Sequence, residues 1–202
     1  MRPKINFRCS WIYDEKMKEL YQVIQKERKT DYKYPEFKET LQYTHQIFKK
    51  WSGIADNIMN AIEKTSGLKW KEKYIRCYVV GRTISFSDPL TMGMVEDKGW
   101  FVDILVHELI HQIFIQNLEE RANYWRYLEK KYPKYDFSTR VHIPLEAIHK
   151  NIYLNLFSKK NLERDIQTAD KIAKYTPQYK IAWNTVEKEG YLNIIKEFKK
   201  FK

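Results

Sequence analysis

The stretch WFVDILVHELIHQIF, residues 100–114, combines an apolar helical pattern with two histidines and a glutamate. Its apolar residues fall on every side of a helix with 3.6 residues per turn, which predicts a helix buried all round. Imidazole and carboxylate groups are costly to bury unless a partner compensates them. His107, Glu108 and His111 therefore need either hydrogen-bond partners or a metal ion.

The same three residues form the motif H-E-x-x-H. His107 and His111 are four residues apart and lie on one helix face, while Glu108 is rotated by about 100° around the axis. In this motif the histidines bind Zn²⁺ and the glutamate takes a proton from the zinc-bound water. The alternative is a pair of core histidines with a salt-bridged glutamate, but the apolar setting favours a metal. Because a catalytic zinc keeps three protein ligands, a third ligand must come from elsewhere.

A second helical segment, RVHIPLEAIHKNIYLNLF at residues 140–157, offers candidates for that ligand. Its polar residues recur at helical spacing and form one stripe between apolar residues; they are His142, Glu146, His149 and Tyr153. Pro144 suits a first helical turn, which predicts that the helix begins near this residue and that His142 lies outside it.

HELIH at 107–111, followed by Glu146 on a separate helix, resembles the gluzincin group of zincin metallopeptidases. The segments SDPLTMGM, HELIHQ and HIPLEAIH are also similar to poorly characterised microbial metallopeptidases. The resemblance implies that His107, His111 and Glu146 bind zinc, that Glu108 is the general base, and that a strand at 83–87 lies along an extended substrate. Gluzincins often have an aspartate four residues after the ligand glutamate, where this chain has Lys150.

The position of Glu146 in the first turn of the predicted helix also favours it as the third ligand, because the helix dipole keeps its carboxylate ionised. His149 lies one turn further on the same side. It is therefore the first choice for the donor that stabilises the oxyanion, with His142 and Tyr153 as alternatives. His149 and His142 also stay open as third ligands.

A different use of the same residues predicts a di-iron protein. The segments ELIH at 108–111 and EAIH at 146–149 are two E-x-x-H motifs, as in helical bundles that act as oxidases or oxygenases. Such a bundle needs two more glutamates, for which the candidates are Glu39 or Glu63 and Glu120 or Glu129. This reading leaves His107 without a role, so a zinc-dependent peptidase is favoured.

Composition limits the class of protein. The chain has 202 residues with 43% hydrophobic content, which predicts a single globular domain over residues 1–202. No apolar stretch reaches the eighteen or so residues of a membrane span, and the first residues lack a secretory signal. The two cysteines form no C-x-x-C pair, so a cytoplasmic protein without disulfides is expected.

The net charge of +11 raises the question of nucleic acid as a partner. The lysines are scattered and mixed with glutamates, a pattern typical of solvated helix faces. Nucleic-acid binding is therefore possible but not favoured, and the expected partner is a peptide or protein substrate.

The predicted fold is α+β, a mainly helical zincin-like domain with a small β-sheet before the H-E-x-x-H helix. The change from helical to alternating periodicity near residue 74 predicts two short strands, and TMGMVEDKG at 91–99 is predicted to be a loop. The expected elements are helices at 14–29 and 36–65, strands at 74–81 and 82–87, and helices at 99–118, 118–133, 144–158, 161–174 and 178–200.

Overall fold

All the strands of the computed structural model, which describes residues 2–29 and 33–201, precede the helix that carries the H-E-x-x-H motif. Within these ranges the chain forms four strands and nine α-helices, so the predicted α+β, mainly helical class with a small sheet before the motif helix is confirmed. The elements are β1 (Lys4–Arg8), α1 (Trp11–Arg28), α2 (Phe37–Ser52), α3 (Ala55–Ser66), β2 (Tyr74–Val80), β3 (Phe86–Ser87), β4 (Leu90–Gly93), α4 (Lys98–Gln116), α5 (Ala122–Lys131), α6 (Phe137–Leu156), α7 (Lys159–Ile172), α8 (Pro177–Glu189) and α9 (Tyr191–Lys200). Among the described helices, none combines the length and the apolar character that a bilayer span requires.

The chain divides into two compact units, and the division passes through α4. One unit comprises Met1–Asp56 and Glu72–Glu108, and the other comprises Asn57–Lys71 and Leu109–Lys202. Because α4 is one continuous helix, the same backbone holds every residue of the H-E-x-x-H motif. The single domain expected over residues 1–202 stays a prediction.

The first unit contains the sheet, whose strand order is β1-β2-β4-β3. β1 and β4 run parallel to β2, and β3 is an antiparallel edge strand. The buried carboxylate of Asp14 supports the end of β2, because it accepts hydrogen bonds from the amide of Gly81 at 2.7 Å and from the hydroxyl of Tyr34 at 2.9 Å. A Cβ atom at Gly81 would lie 2.5 Å from the Tyr34 ring, so the residue after β2 has to be glycine.

The sheet is larger than predicted, and its strands lie in partly different places. β2 agrees with the strand expected at 74–81, but the strand expected at 82–87 is reduced to the two residues of β3. β4 lies in the predicted loop, and β1 was not predicted. All four residues of β4 are buried, so they show no alternation, and β1 pairs with a strand about seventy residues later in the chain. These strands form because distant segments of the chain pair with each other, and local periodicity does not predict such pairing.

Three of the predicted helices are divided. The helix expected at 36–65 is α2 and α3, separated at Gly53, where the amide of Ile54 closes a turn on the carbonyl of Trp51. The helix expected at 178–200 is α8 and α9, separated by Gly190 with a φ of 82°. The segment at 118–133 forms a 3-10 turn followed by α5. Glycine is a poor helix former, and here it outweighs the continuous apolar spacing at both interruptions.

α6 lies at the centre of the second unit and packs against α8, α9, α7 and α5. The prediction that this helix begins near Pro144 is wrong. α6 begins at Phe137, because the carboxylate of Asp136 accepts a hydrogen bond from the amide of Thr139 at 2.6 Å and caps the helix. Pro144 is tolerated in the helix interior, at the cost of one backbone hydrogen bond to the carbonyl of residue 140. His142 is therefore a helical residue.

Removing this cap tests where α6 begins. Asp136→Ala should lower the free energy of unfolding by about 0.5–2 kcal/mol, because the orphan amide at Thr139 loses its acceptor. Asp136→Asn is the matched control and should retain most of the stability, since asparagine also caps helices. Denaturant titration measures both variants. Equal stability of Asp136→Ala and the wild type would show that the cap does not determine the start of the helix.

Candidate metal centre

α4 holds the motif as the sequence predicts. Most of its apolar residues are fully or almost fully buried, among them Phe101, Val102, Leu105, Val106, Leu109, Ile110 and Ile113. His107 and His111 are half-buried one turn apart, while the side chain of Glu108 is only 7% exposed. The helix therefore leaves its two histidines partly accessible and turns its glutamate inward.

α6 brings a third histidine to the motif. The Nε2 atoms of His111 and His142 are 3.3 Å apart, and the two rings meet edge to face at 79°. His142 is the residue that was predicted to lie outside the helix. It reaches His111 because α6 already includes it, two turns after the Asp136 cap.

The hydrogen bonds of His142 determine which of its nitrogens faces His111. Its Nδ1 lies 2.7 Å from the carbonyl of Ser138, and since a carbonyl can only accept, Nδ1 carries the proton and donates. Burial lowers the pKa of His142, so the ring is neutral near neutral pH. Its Nε2 therefore presents a lone pair toward His111. Metal-binding histidines commonly have this arrangement, in which the outer N–H is bound to a backbone carbonyl.

Two groups of potential ligands occur in the described part of the chain. One nitrogen each of His107, His111 and His142 lie within 4.8 Å of one another, and the same holds for ligand atoms of His107, Glu146 and His149. The first group can hold a metal ion. The ligand set predicted from the sequence, His107 with His111 and Glu146, is not one of the two groups, because Glu146 joins His107 together with His149.

Burial also controls the protonation of the site. It raises the pKa of Glu108 to about 8. Burial, together with the nearby His142, lowers the pKa of His111 to about 3. At neutral pH the His111 ring is therefore neutral, which is the form that binds a metal.

The deeper residues of the α6 stripe are enclosed by protein. The side chains of His149 and Tyr153 are 0% exposed, and their rings stack with centroids 4.2 Å apart. His149 Nδ1 lies 3.7 Å from a carboxylate oxygen of Glu146, which is 1% exposed. These side chains, predicted as oxyanion donors or ligands, do not reach the protein surface.

Sequence reasoning missed one residue that contacts His142. Tyr179, in the first turn of α8, is half-buried and places its ring edge to face with His142 at a centroid distance of 4.7 Å. No spacing relates it to the motifs, because it belongs to another helix.

Three of the glutamates considered for a di-iron site make contacts away from the two E-x-x-H motifs. Glu39 accepts a hydrogen bond from the amide of Glu36 at the start of α2. Glu63 pairs with Lys69, and Glu120 pairs with Lys71. In residues 2–29 and 33–201, neither these glutamates nor Glu129 belong to a group of potential metal ligands.

Because comparison with known proteins found no match, the family of this chain stays a prediction. The resemblance to gluzincins therefore depends on the H-E-x-x-H motif and the later helix, and the site has to be interpreted from its own geometry. No protein-family model, no curated protein and no solved structure matches the chain.

Proposed function

We propose that this protein is a zinc-dependent peptidase that binds its metal through His107, His111 and His142. The proposal is carried by one observation: two imidazoles of α4, the helix that also bears Glu108, lie within 4.8 Å of the His142 imidazole of α6. Three neutral nitrogen ligands are a common donor set for catalytic zinc, which keeps its fourth position for water or substrate.

The spacing of the histidines fits such an ion. Two nitrogens bound to one tetrahedral zinc at about 2.0–2.1 Å are separated by about 3.3–3.4 Å. The Nε2 atoms of His111 and His142 are 3.3 Å apart. His107 and His111 are only half-buried, which is consistent with one side of the site being open to a substrate. In the second group, Glu146 and His149 are both enclosed by protein, which leaves no comparable opening beside them.

A zinc ion bound by these histidines would supply a Lewis acid and lower the pKa of a coordinated water. In the proposed reaction, Glu108 is the proton acceptor. It follows His107 directly on α4, and its burial gives it a pKa close to the range in which a general base works best. Glu108 would take a proton from the attacking water and pass it to the nitrogen of the leaving amine.

Peptides are the proposed substrate class for two reasons. The H-E-x-x-H motif is typical of metallopeptidases. In addition, β3 is an edge strand of its sheet and lies within the segment 83–87 that is expected to lie along a substrate. An edge strand can bind an extended peptide by backbone hydrogen bonding, with little dependence on the sequence of that peptide.

The proposal differs from the sequence-based prediction in the third ligand, which is His142 in place of Glu146. No observation favours the di-iron alternative. Binding to nucleic acid stays a prediction from the net charge alone.

Metal content and hydrolysis test the proposal together. Protein purified without a metal-affinity tag should contain about one zinc per chain by elemental analysis. It should cleave members of a quenched fluorescent peptide library, lose this activity on chelation and regain it with zinc. The chelated protein should also unfold at a lower temperature, because a ligand bound only by the folded state stabilises it. Two irons per chain, or a zinc-loaded protein that cleaves no peptide in the library, would contradict the proposed function.

A further inference from the structure

His107 belongs to both groups of potential ligands, whereas the other four residues belong to one group each. A neutral imidazole has one nitrogen with a lone pair and one that carries a proton. It can therefore bind a metal on one side and donate a hydrogen bond on the other. A single ring can in this way take part in both groups.

The second group is unsuited to a catalytic metal. Glu146 and His149 are 1% and 0% exposed and lie about one turn apart on α6. A catalytic zinc needs a position for water, which this enclosed pair cannot provide. What the pair offers to His107 is a buried carboxylate, which is a strong acceptor for an imidazole N–H.

We infer that Glu146 is a positioning residue that accepts the outer N–H of His107 and so directs the other nitrogen of that ring toward the metal. The inference rests on the three-histidine site proposed above. His149 Nδ1 lies 3.7 Å from the same carboxylate, and the His149 ring stacks on Tyr153. Glu146 then acts on the metal through His107 and is not itself a ligand.

His142 has the same kind of hydrogen bond, because the Ser138 carbonyl accepts the outer N–H of its ring. A carboxylate in this position has two effects on a histidine ligand. It selects the tautomer and orientation of the ring, and it makes the metal-binding nitrogen more basic. The assignment also explains why the chain can have Lys150 where gluzincins have an aspartate: a Glu146 that does not bind the metal needs no partner of its own at that position.

Zinc affinity, measured by competition with a chromophoric chelator, tests the inference without a substrate. Glu146→Gln keeps the shape of the side chain but removes its charge. Zinc should bind this variant about 10–100-fold more weakly, the usual effect of losing an outer-shell partner. Thermal unfolding of the metal-free variant checks that the fold is retained. Unchanged affinity in Glu146→Gln would overturn the inference and leave the three-histidine site intact.

A double-mutant cycle distinguishes a positioning residue from a ligand. If Glu146 acts through His107, Glu146→Gln should have no further effect on zinc affinity in the His107→Ala background but should still weaken binding in the His111→Ala background. A direct ligand would weaken binding in both backgrounds, and that result would overturn the inference. X-ray absorption of zinc-loaded Glu146→Gln gives a second measurement, for which an unchanged number of nitrogen and oxygen ligands is expected.

Failure of the inference and failure of the proposed function give different results. Wild-type protein that binds no zinc would overturn both, since the inference depends on the metal. Wild-type protein that binds zinc and cleaves no peptide would overturn the peptidase proposal, while the cycle would still report whether Glu146 acts through His107.

Discussion

His142→Ala should remove most of the zinc from the purified protein and weaken zinc binding by more than about a hundredfold. Loss of an outer-shell partner alone costs 10–100-fold, and loss of a direct ligand costs more. The expectation follows from the 3.3 Å separation between the Nε2 atoms of His142 and His111. Elemental analysis and chelator competition give the two measurements.

The matched control is His45→Ala. His45 is the one histidine of the chain outside residues 107–149, lies on the exposed side of α2 and belongs to neither ligand group. Its loss should leave the zinc content unchanged. Circular dichroism of the metal-free His142→Ala protein checks that α6 survives the truncation. Full zinc content in a folded His142→Ala protein, combined with loss of zinc in Glu146→Ala, would restore the gluzincin ligand set.

Glu108→Gln should retain zinc while peptide hydrolysis falls by about two to four orders of magnitude. The substitution keeps the size of the side chain but removes the group that accepts the proton, and general-base catalysis contributes about that much to rate. The fall should appear in kcat, because the group acts in the chemical step. Glu119→Gln, at an exposed position after α4, is the control and should leave the rate unchanged.

Zinc content separates the possible results. A slow variant that has also lost its zinc would show that Glu108 is needed to build the site. Undiminished turnover with zinc in place would refute its role as the base.

The part of this site that lies on the motif helix could be predicted from local sequence alone. A spacing of four residues places His107 and His111 on one face of any α-helix, and the apolar residues around them are enough to predict that the helix is buried. Glu108, next to His107 in the chain, is turned to another side by the same geometry. Two histidines and the candidate base could therefore be predicted from the sequence, and the structure places all three on α4.

The proposed third ligand, His142, could not be predicted from local sequence alone. Sequence reasoning placed a helix start at Pro144, because proline is frequent in first turns. The helix begins at Phe137 instead, because the Asp136 cap stabilises an earlier start and packing against α8 and α9 offsets the missing hydrogen bond of Pro144. This difference of seven residues makes His142 helical and lets it reach His111.

The class of the fold, the motif helix and a second helix with a polar stripe could be predicted, since each follows from periodicity within one segment. Which members of that stripe lie near the motif depends on tertiary packing: His142 contacts His111, while Glu146 and His149 form a second group of potential ligands with His107. The tertiary structure also decided that β1 and β4 are strands. The physical reason is the same in both cases. The rotation of one helix against another and the pairing of distant strands are set by the packing of many side chains, and no short stretch of sequence contains that packing.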